Sequence, residues 1–205
     1  MQRCSWVNLK NKKYVYYHDF IWGVKEFDDN KLFEYLVLEM FQAGLSFEIV
    51  LNKQDYFKEA FDNYEIDEII NYDTSKVKTL LENKNIIRNR LKILAVINNA
   101  KVFLKIQKEY GSFCKYIWHF TNNKQIKYKR FHARTKLSDK MSDDLKLRGM
   151  KFVGSTIIYS YLEAIGVLNN HQNDCYKGDN NVQTSNQNII NNNECCNSNN
   201  CSNCI

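Results

Sequence analysis

The chain reads as an all-α protein. Three observations predict this class. Apolar residues recur at helical spacing in one block after another, capping residues precede several of those blocks, and strand signals are weak. No internal repeat is evident.

The elements follow in order. In K-L-F-E-Y-L-V-L-E-M-F, Leu32, Phe33, Leu36, Val37 and Met40 trace one helical face, and Asp28 or Asp29 can cap its start. A second helix is predicted near 47–61 with Val50, Phe57 and Phe61 inward, and a short one near 66–71. Thr74 or Ser75 can cap a helix running through Leu80 and Leu81. A tight turn leads into a long helix with Ile93, Ile97, Ala100 and Leu104 on one face. Another is predicted near 112–120, then a polar loop from Thr121 to Ser138, then helices near 139–148 and 154–166.

Composition bounds the rest. The 205 residues are 44% hydrophobic and 25% charged, which suits a globular core. No run of about 18 apolar residues exists, so no membrane span is expected. The first residues, M-Q-R-C-S-W-V-N, lack the apolar core of a secretory signal, so none is expected. Seven cysteines is an odd number, and without an export signal it favours reduced thiols or metal ligands over a disulfide scaffold. Proline is absent, where roughly ten would be average; Lys, Asn and Ile are plentiful. An AT-rich coding sequence would produce that bias. The net charge is +6, which a polyanion partner such as DNA would suit without being required by it.

After Tyr176 the composition changes. Eleven of the last thirty residues are Asn, and large apolar side chains almost vanish. Such a segment cannot bury enough surface to offset its ordering entropy. The expected organisation is a folded domain over 1–176 and a disordered tail over 177–205. The tail cysteines Cys195, Cys196, Cys201 and Cys204 have no histidine nearby to support a metal site.

Four groups of residues carry possible chemistry. Glu39 follows Leu32 by seven residues and Leu36 by three, which places its carboxylate on their stripe. It is either an edge residue reaching solvent or a polar group aimed into an apolar pocket. The aromatics Trp6, Tyr14, Tyr16, Tyr17, Phe20 and Trp22 are either ordinary core or the lining of a pocket for a flat ligand such as a nucleobase. Cys4 and His18 lie near one end of the chain, and His171 and Cys175 near the end of the folded part. Two His and two Cys make a normal tetrahedral zinc set, and four protein ligands would make it closed and structural. The segment T-L-L-E-N-K-N-I-I-R-N-R-L-K-I resembles a helix-hairpin-helix over about 74–104, which would aim backbone N–H groups at a phosphate. Arg88, Arg90 and Lys92 could add charge there. The plain alternative is a helical corner with a solvated basic face.

These pieces occur together in one family. The strings R-C-S-W-V, Y-Y-H-D-F-I-W-G-V, L-F-E-Y-L-V-L-E, Q-A-G-L-S-F, I-I-R-N-R-L-K-I and R-G-M-K-F-V-G-S-T-I-I-Y-S resemble the DNA-3-methyladenine glycosylase I family of bacterial repair enzymes. They appear in that family's order across residues 2–176. The resemblance implies a helix-hairpin-helix glycosylase fold whose N- and C-terminal regions are stapled by one structural zinc on Cys4, His18, His171 and Cys175. It implies that Glu39 and Tyr17 contact the excised base, that Trp6, Tyr14 and Trp22 line or support the pocket, and that Ser160 lies near the base. It implies that the turn from Gln42 to Ser46 approaches DNA, with Gly44 and Leu45 at the lesion gap. The expected partner is double-stranded DNA with alkylated purines, and the expected location a bacterial-type cytoplasm, with the protein a monomer.

Three departures from the family pattern stand out. Phe47 replaces a Trp after Q-A-G-L-S, so less ring area is offered for stacking. Asn85 replaces the hairpin Gly; Asn tolerates φ > 0 better than most residues. Lys25 replaces a Pro. No lysine lies in a matched motif as a Schiff-base nucleophile, so no strand-cleaving lyase activity is expected. A non-catalytic DNA-binding relative is the first alternative. A zinc nucleobase deaminase is the second, but its H-x-E and P-C-x-x-C pattern is missing.

Overall fold

The computed structural model describes residues 1–128 and 132–178, and within them the class is all-α. The helices are α1 (Lys12–Phe20), α2 (Asp29–Gln42), α3 (Phe47–Asn52), α4 (Gln54–Ala60), α5 (Ile66–Ile69), α6 (Thr74–Glu82), α7 (Arg90–Tyr110), α8 (Phe113–His119), α9 (Lys136–Leu147) and α10 (Ser155–Ala164). Among the described residues there is no strand, only an isolated parallel bridge between Ile126 and Leu168. No described helix is long and apolar enough to cross a membrane. The expected tail lies outside the described residues from 179 onward. Lys177 and Gly178 still fold back onto Cys175, with both backbone N–H groups directed at it.

α2 is the central element. Every residue from Leu32 to Phe41 is buried, as expected of a helix surrounded on all sides. It packs against α3, α7, α8 and α10. Its first residue, Asp29, accepts hydrogen bonds from the Phe113 and Cys114 N–H groups at 2.8 and 2.7 Å, which caps α8 from another element. The Tyr161 hydroxyl of α10 donates to the Leu32 carbonyl at 3.0 Å. These bonds fix α2 and α10 relative to each other, and both carry cavity residues.

The structure revises several local expectations. The segment 47–61 is two helices, broken at Lys53, whose φ/ψ of −99°/2° ends the α-helical path. Asp28 caps α2, and Asp73 caps α6 instead of Thr74 or Ser75. α1 was not anticipated. The hairpin turn between α6 and α7 bends without left-handed backbone at Asn85, so that residue's tolerance of φ > 0 is not used. Its carbonyl accepts from Lys53 Nζ at 2.8 Å instead.

Lys92 is also corrected. It is buried, and its ammonium donates to the Phe41 and Ala43 carbonyls at 3.0 and 2.8 Å. The side chain caps the C-terminus of α2 instead of adding charge to the exposed hairpin surface.

Candidate active site and metal centre

A cavity of about 490 Å³ opens between the N-terminal segment, the end of α2, the start of α3 and α10. Its walls include Trp6, Tyr14, Tyr17, Trp22, Glu39, Gln42, Phe47 and Ser160. Tyr14 and Tyr17 share a face of α1 at i, i+3 spacing. Phe47 is the first residue of α3, with its ring 4.6 Å from that of Tyr17 and 6.1 Å from that of Tyr14. Trp6 meets Trp22 edge-on at 4.9 Å. The structure thus brings together every residue expected to bind the base.

Two polar groups stand out on this wall. Glu39 is only 4% exposed, and among the described residues no donor bonds its carboxyl. Burial, with a smaller push from the charge of Glu163, raises it to about 8. Burial first, and then the charge of Glu39, raises the Tyr17 hydroxyl well above its ordinary value. A buried carboxyl without a partner is costly. Its position on an aromatic cavity makes a ligand the natural partner.

The turn after α2 is exposed. Gly44 has φ +83°, where a side chain would strain the backbone, and open space lies where its Cβ would be. Leu45 is 40% exposed beside it. Arg88 and Arg90 are exposed at the hairpin, where α7 begins under an Asn89 cap. All four lie outside the cavity wall.

The Cys/His quartet converges. Cys4, His18, His171 and Cys175 are all buried, and their ligand atoms lie within 4.8 Å of one another. Cys4 Sγ is 3.6 Å from His171 Nδ1; Cys175 Sγ is 3.4 Å from His18 Nε2 and 3.6 Å from His171 Nδ1. A tetrahedron with metal–sulfur bonds of about 2.3 Å and metal–nitrogen bonds of about 2.0 Å has S–N edges of about 3.5 Å. The residues therefore fit a metal ion.

The outer atoms support the same reading. His18 Nδ1 faces Asp19 Oδ1 at 2.8 Å, and Arg3 grips Asp19 and holds its carboxyl well below the usual range. His171 Nε2 faces the Trp22 carbonyl at 3.2 Å. Each imidazole thus has its far nitrogen engaged and its near nitrogen at the centre, the arrangement metal-binding histidines adopt. Burial pushes the Cys4 thiol up to about 12, so at neutral pH a cation at the centre would be needed to hold it as thiolate.

The Cys/His quartet and the cavity share a wall. The Trp22 ring lies 4.7 Å from that of His171, and the Trp6 ring 5.4 Å from that of His18.

The model of the methyladenine glycosylase family matches residues 6–178. The chain belongs to that family. It is a glycosylase of the DNA-repair type that deals with alkylation damage. It is 36% identical over 178 residues to the DNA-3-methyladenine glycosylase of Haemophilus influenzae, covering 84% of this chain and 96% of that protein. It is 37% identical over 180 residues to DNA-3-methyladenine glycosylase 1 of Escherichia coli, covering 85% and 96%. A crystal structure of a 3-methyladenine DNA glycosylase I superposes with a TM-score of 0.83 at 38% identity, over 86% of this chain and all of that one. A variant of such an enzyme, solved in complex with 3-methyladenine, superposes with a TM-score of 0.80 at 33% identity, over 85% and 96%.

Sequence reasoning missed part of the wall. Glu163, Asn170, Lys127, Tyr128, Gln172 and Asn173 also line the cavity. For Glu163 a signal existed: it follows Ser160 by three residues, so the two share a face of α10.

Proposed function

We propose that the chain removes N3-methyladenine from alkylated double-stranded DNA by flipping the nucleotide out and hydrolysing its glycosidic bond. The observation that carries this is the pair of buried polar groups, Glu39 and Tyr17, which face an aromatic cavity with no hydrogen-bond partner among the described residues.

N3-methylation puts a positive charge on adenine while it is attached to the sugar. The base then leaves neutral and needs little acid catalysis. The protein's part is to extrude the nucleotide and hold it. Trp6 and Phe47 stack on the purine, with Tyr14 and Trp22 backing them. Glu39 and Tyr17 hydrogen-bond its edge, and Ser160 lies beside it. The approaching positive charge favours the ionised form of Glu39, which burial disfavours in the empty cavity. Gly44 and Leu45 fill the gap left in the duplex, and Arg88 and Arg90 meet phosphates. Water adds to the sugar carbon and loses a proton to solvent, the C–N electron pair leaves with the now neutral base, and an abasic site remains.

The metal ion in this reading is one Zn2+, supported by the two-sulfur, two-nitrogen donor set and its tetrahedral edges. It fastens the terminal segments and takes no part in bond breaking. The same reading has the protein acting as a monomer in a bacterial-type cytoplasm, where the chromosome is accessible.

Incubation with methylated DNA should release free 3-methyladenine. Glu39→Gln should lose most release while still binding DNA, and unchanged release would remove Glu39 from its role. Because Lys127 lines the cavity, borohydride trapping tests the hydrolytic outcome; a covalent protein–DNA adduct would overturn it.

A further inference from the structure

We propose that Glu163 determines specificity, as a second acid of the base cavity whose negative charge favours a positively charged purine over a neutral one of the same shape. This rests on the glycosylase reading above and assigns a residue that no sequence motif pointed to.

Glu163 sits one turn beyond Ser160 on α10, and both line the cavity. It is buried, and its orientation is imposed. Asn170 Nδ2 donates to Glu163 Oε1 at 2.8 Å and also reaches the Tyr159 hydroxyl at 2.8 Å. Asn170 Oδ1 in turn accepts from the Tyr128 N–H at 3.1 Å. The network ties α10 to the adjoining segments that carry Tyr128 and Asn170, so the carboxyl is held in place before any ligand arrives.

Its charge matters at the other acid, since the charge of Glu163 contributes to the elevation of Glu39. Burial raises Glu163 itself to about 7, while its bonds to Asn170 and Tyr159 favour the ionised form. Two buried acids therefore face one cavity, and among the described residues the lysine in its wall is Lys127. Near neutral pH the cavity is poised to carry carboxylate charge that no bound neutral purine can offset. A purine cation offsets it directly. The energetic difference between the two ligands is Coulombic, and it acts at a buried carboxyl, where solvent screening is reduced.

Binding of two probes to the zinc-loaded full chain at about pH 7.5 tests this, read by calorimetry or by quenching of tryptophan fluorescence. One probe is 3-methyladenine, neutral at that pH. The other is 3,9-dimethyladeninium, a permanent cation of nearly the same shape. Glu163→Gln should weaken the cation at least tenfold and the neutral base within about twofold, since at an effective dielectric constant near 20 one lost charge is worth about tenfold even at roughly 12 Å and more at closer range. Glu163→Asp, which keeps the charge but withdraws it by one methylene, should lie between wild type and Gln. Should the Gln variant not fold, the Asp variant alone must still weaken the cation more than the neutral base. Equal weakening of both probes would make Glu163 a structural residue, and no change in either would remove it from the site. Failure of the glycosylase reading would show separately, as wild-type protein that releases no base from methylated DNA.

Discussion

Glu39 should make the empty protein less stable as the pH rises through neutrality, and Glu39→Gln should remove that dependence. Burial raises the folded carboxyl from 4.5 to about 8. In the unfolded chain it ionises at the ordinary value. A raised carboxyl stabilises the fold fully below the unfolded value, and that contribution is lost as the pH climbs towards the folded one. Between pH 6 and 8 the unfolded chain has released this proton while the folded chain mostly keeps it. Stability then falls by nearly 1.4 kcal/mol per pH unit, or about 2 kcal/mol across the interval. For a folded region of this size that is about 6 °C in melting temperature. The assay is thermal or urea unfolding of metal-loaded protein at pH 6, 7 and 8, wild type beside Glu39→Gln. Glu163 adds a slope of the same sign in both proteins, so the difference between the two curves isolates Glu39. The variant should be the more stable protein at pH 8 and the less active one. Parallel curves would refute the claim that Glu39 is buried without a partner.

Other outcomes follow from the same geometry. Stripping the metal with a chelator should lower the melting temperature and slow base binding together, because Trp22 and Trp6 pack on His171 and His18; Cys175→Ala should do the same, with metal content as the check. Phe47→Trp should tighten 3-methyladenine binding by a few-fold, the scale of about 0.5–1 kcal/mol for added aromatic contact, measured by titration. Replacing both Arg88 and Arg90 with Ala should reduce the salt dependence of duplex binding by about two units in the log–log slope if each meets a phosphate. Lys92→Met should cost about 2 kcal/mol in urea unfolding, since one buried and one half-buried carbonyl lose their donor.

Much of this molecule was legible from residue spacing, and what escaped did so for identifiable reasons. α2 and α7 were read from apolar stripes because their inward faces are apolar. α1 was not, because its inward face carries Tyr17, His18 and Asp19 while Tyr16 and Phe20 are exposed. Its polarity pattern is the reverse of an ordinary core helix because that face builds part of the Cys/His quartet. The four candidate metal ligands were visible as residue types in the sequence, but their convergence depends on residues 4 and 175 meeting through the whole fold. Lys92 looked like surface charge because its partners, Phe41 and Ala43, lie about fifty residues away in sequence.

Glu163 shows the same effect from the other direction. A glutamate on an apolar helix reads as an error in the stripe, or as an edge residue, until the neighbouring wall is known. Glu39 raised that ambiguity on α2, and Glu163 repeats it on α10, the two helices tied by the Tyr161–Leu32 bond. A core built for stability alone would exclude both acids. Their coincidence on one cavity is where local sequence rules and the demands of the site part company, and the pH and probe experiments address that pair from two independent sides.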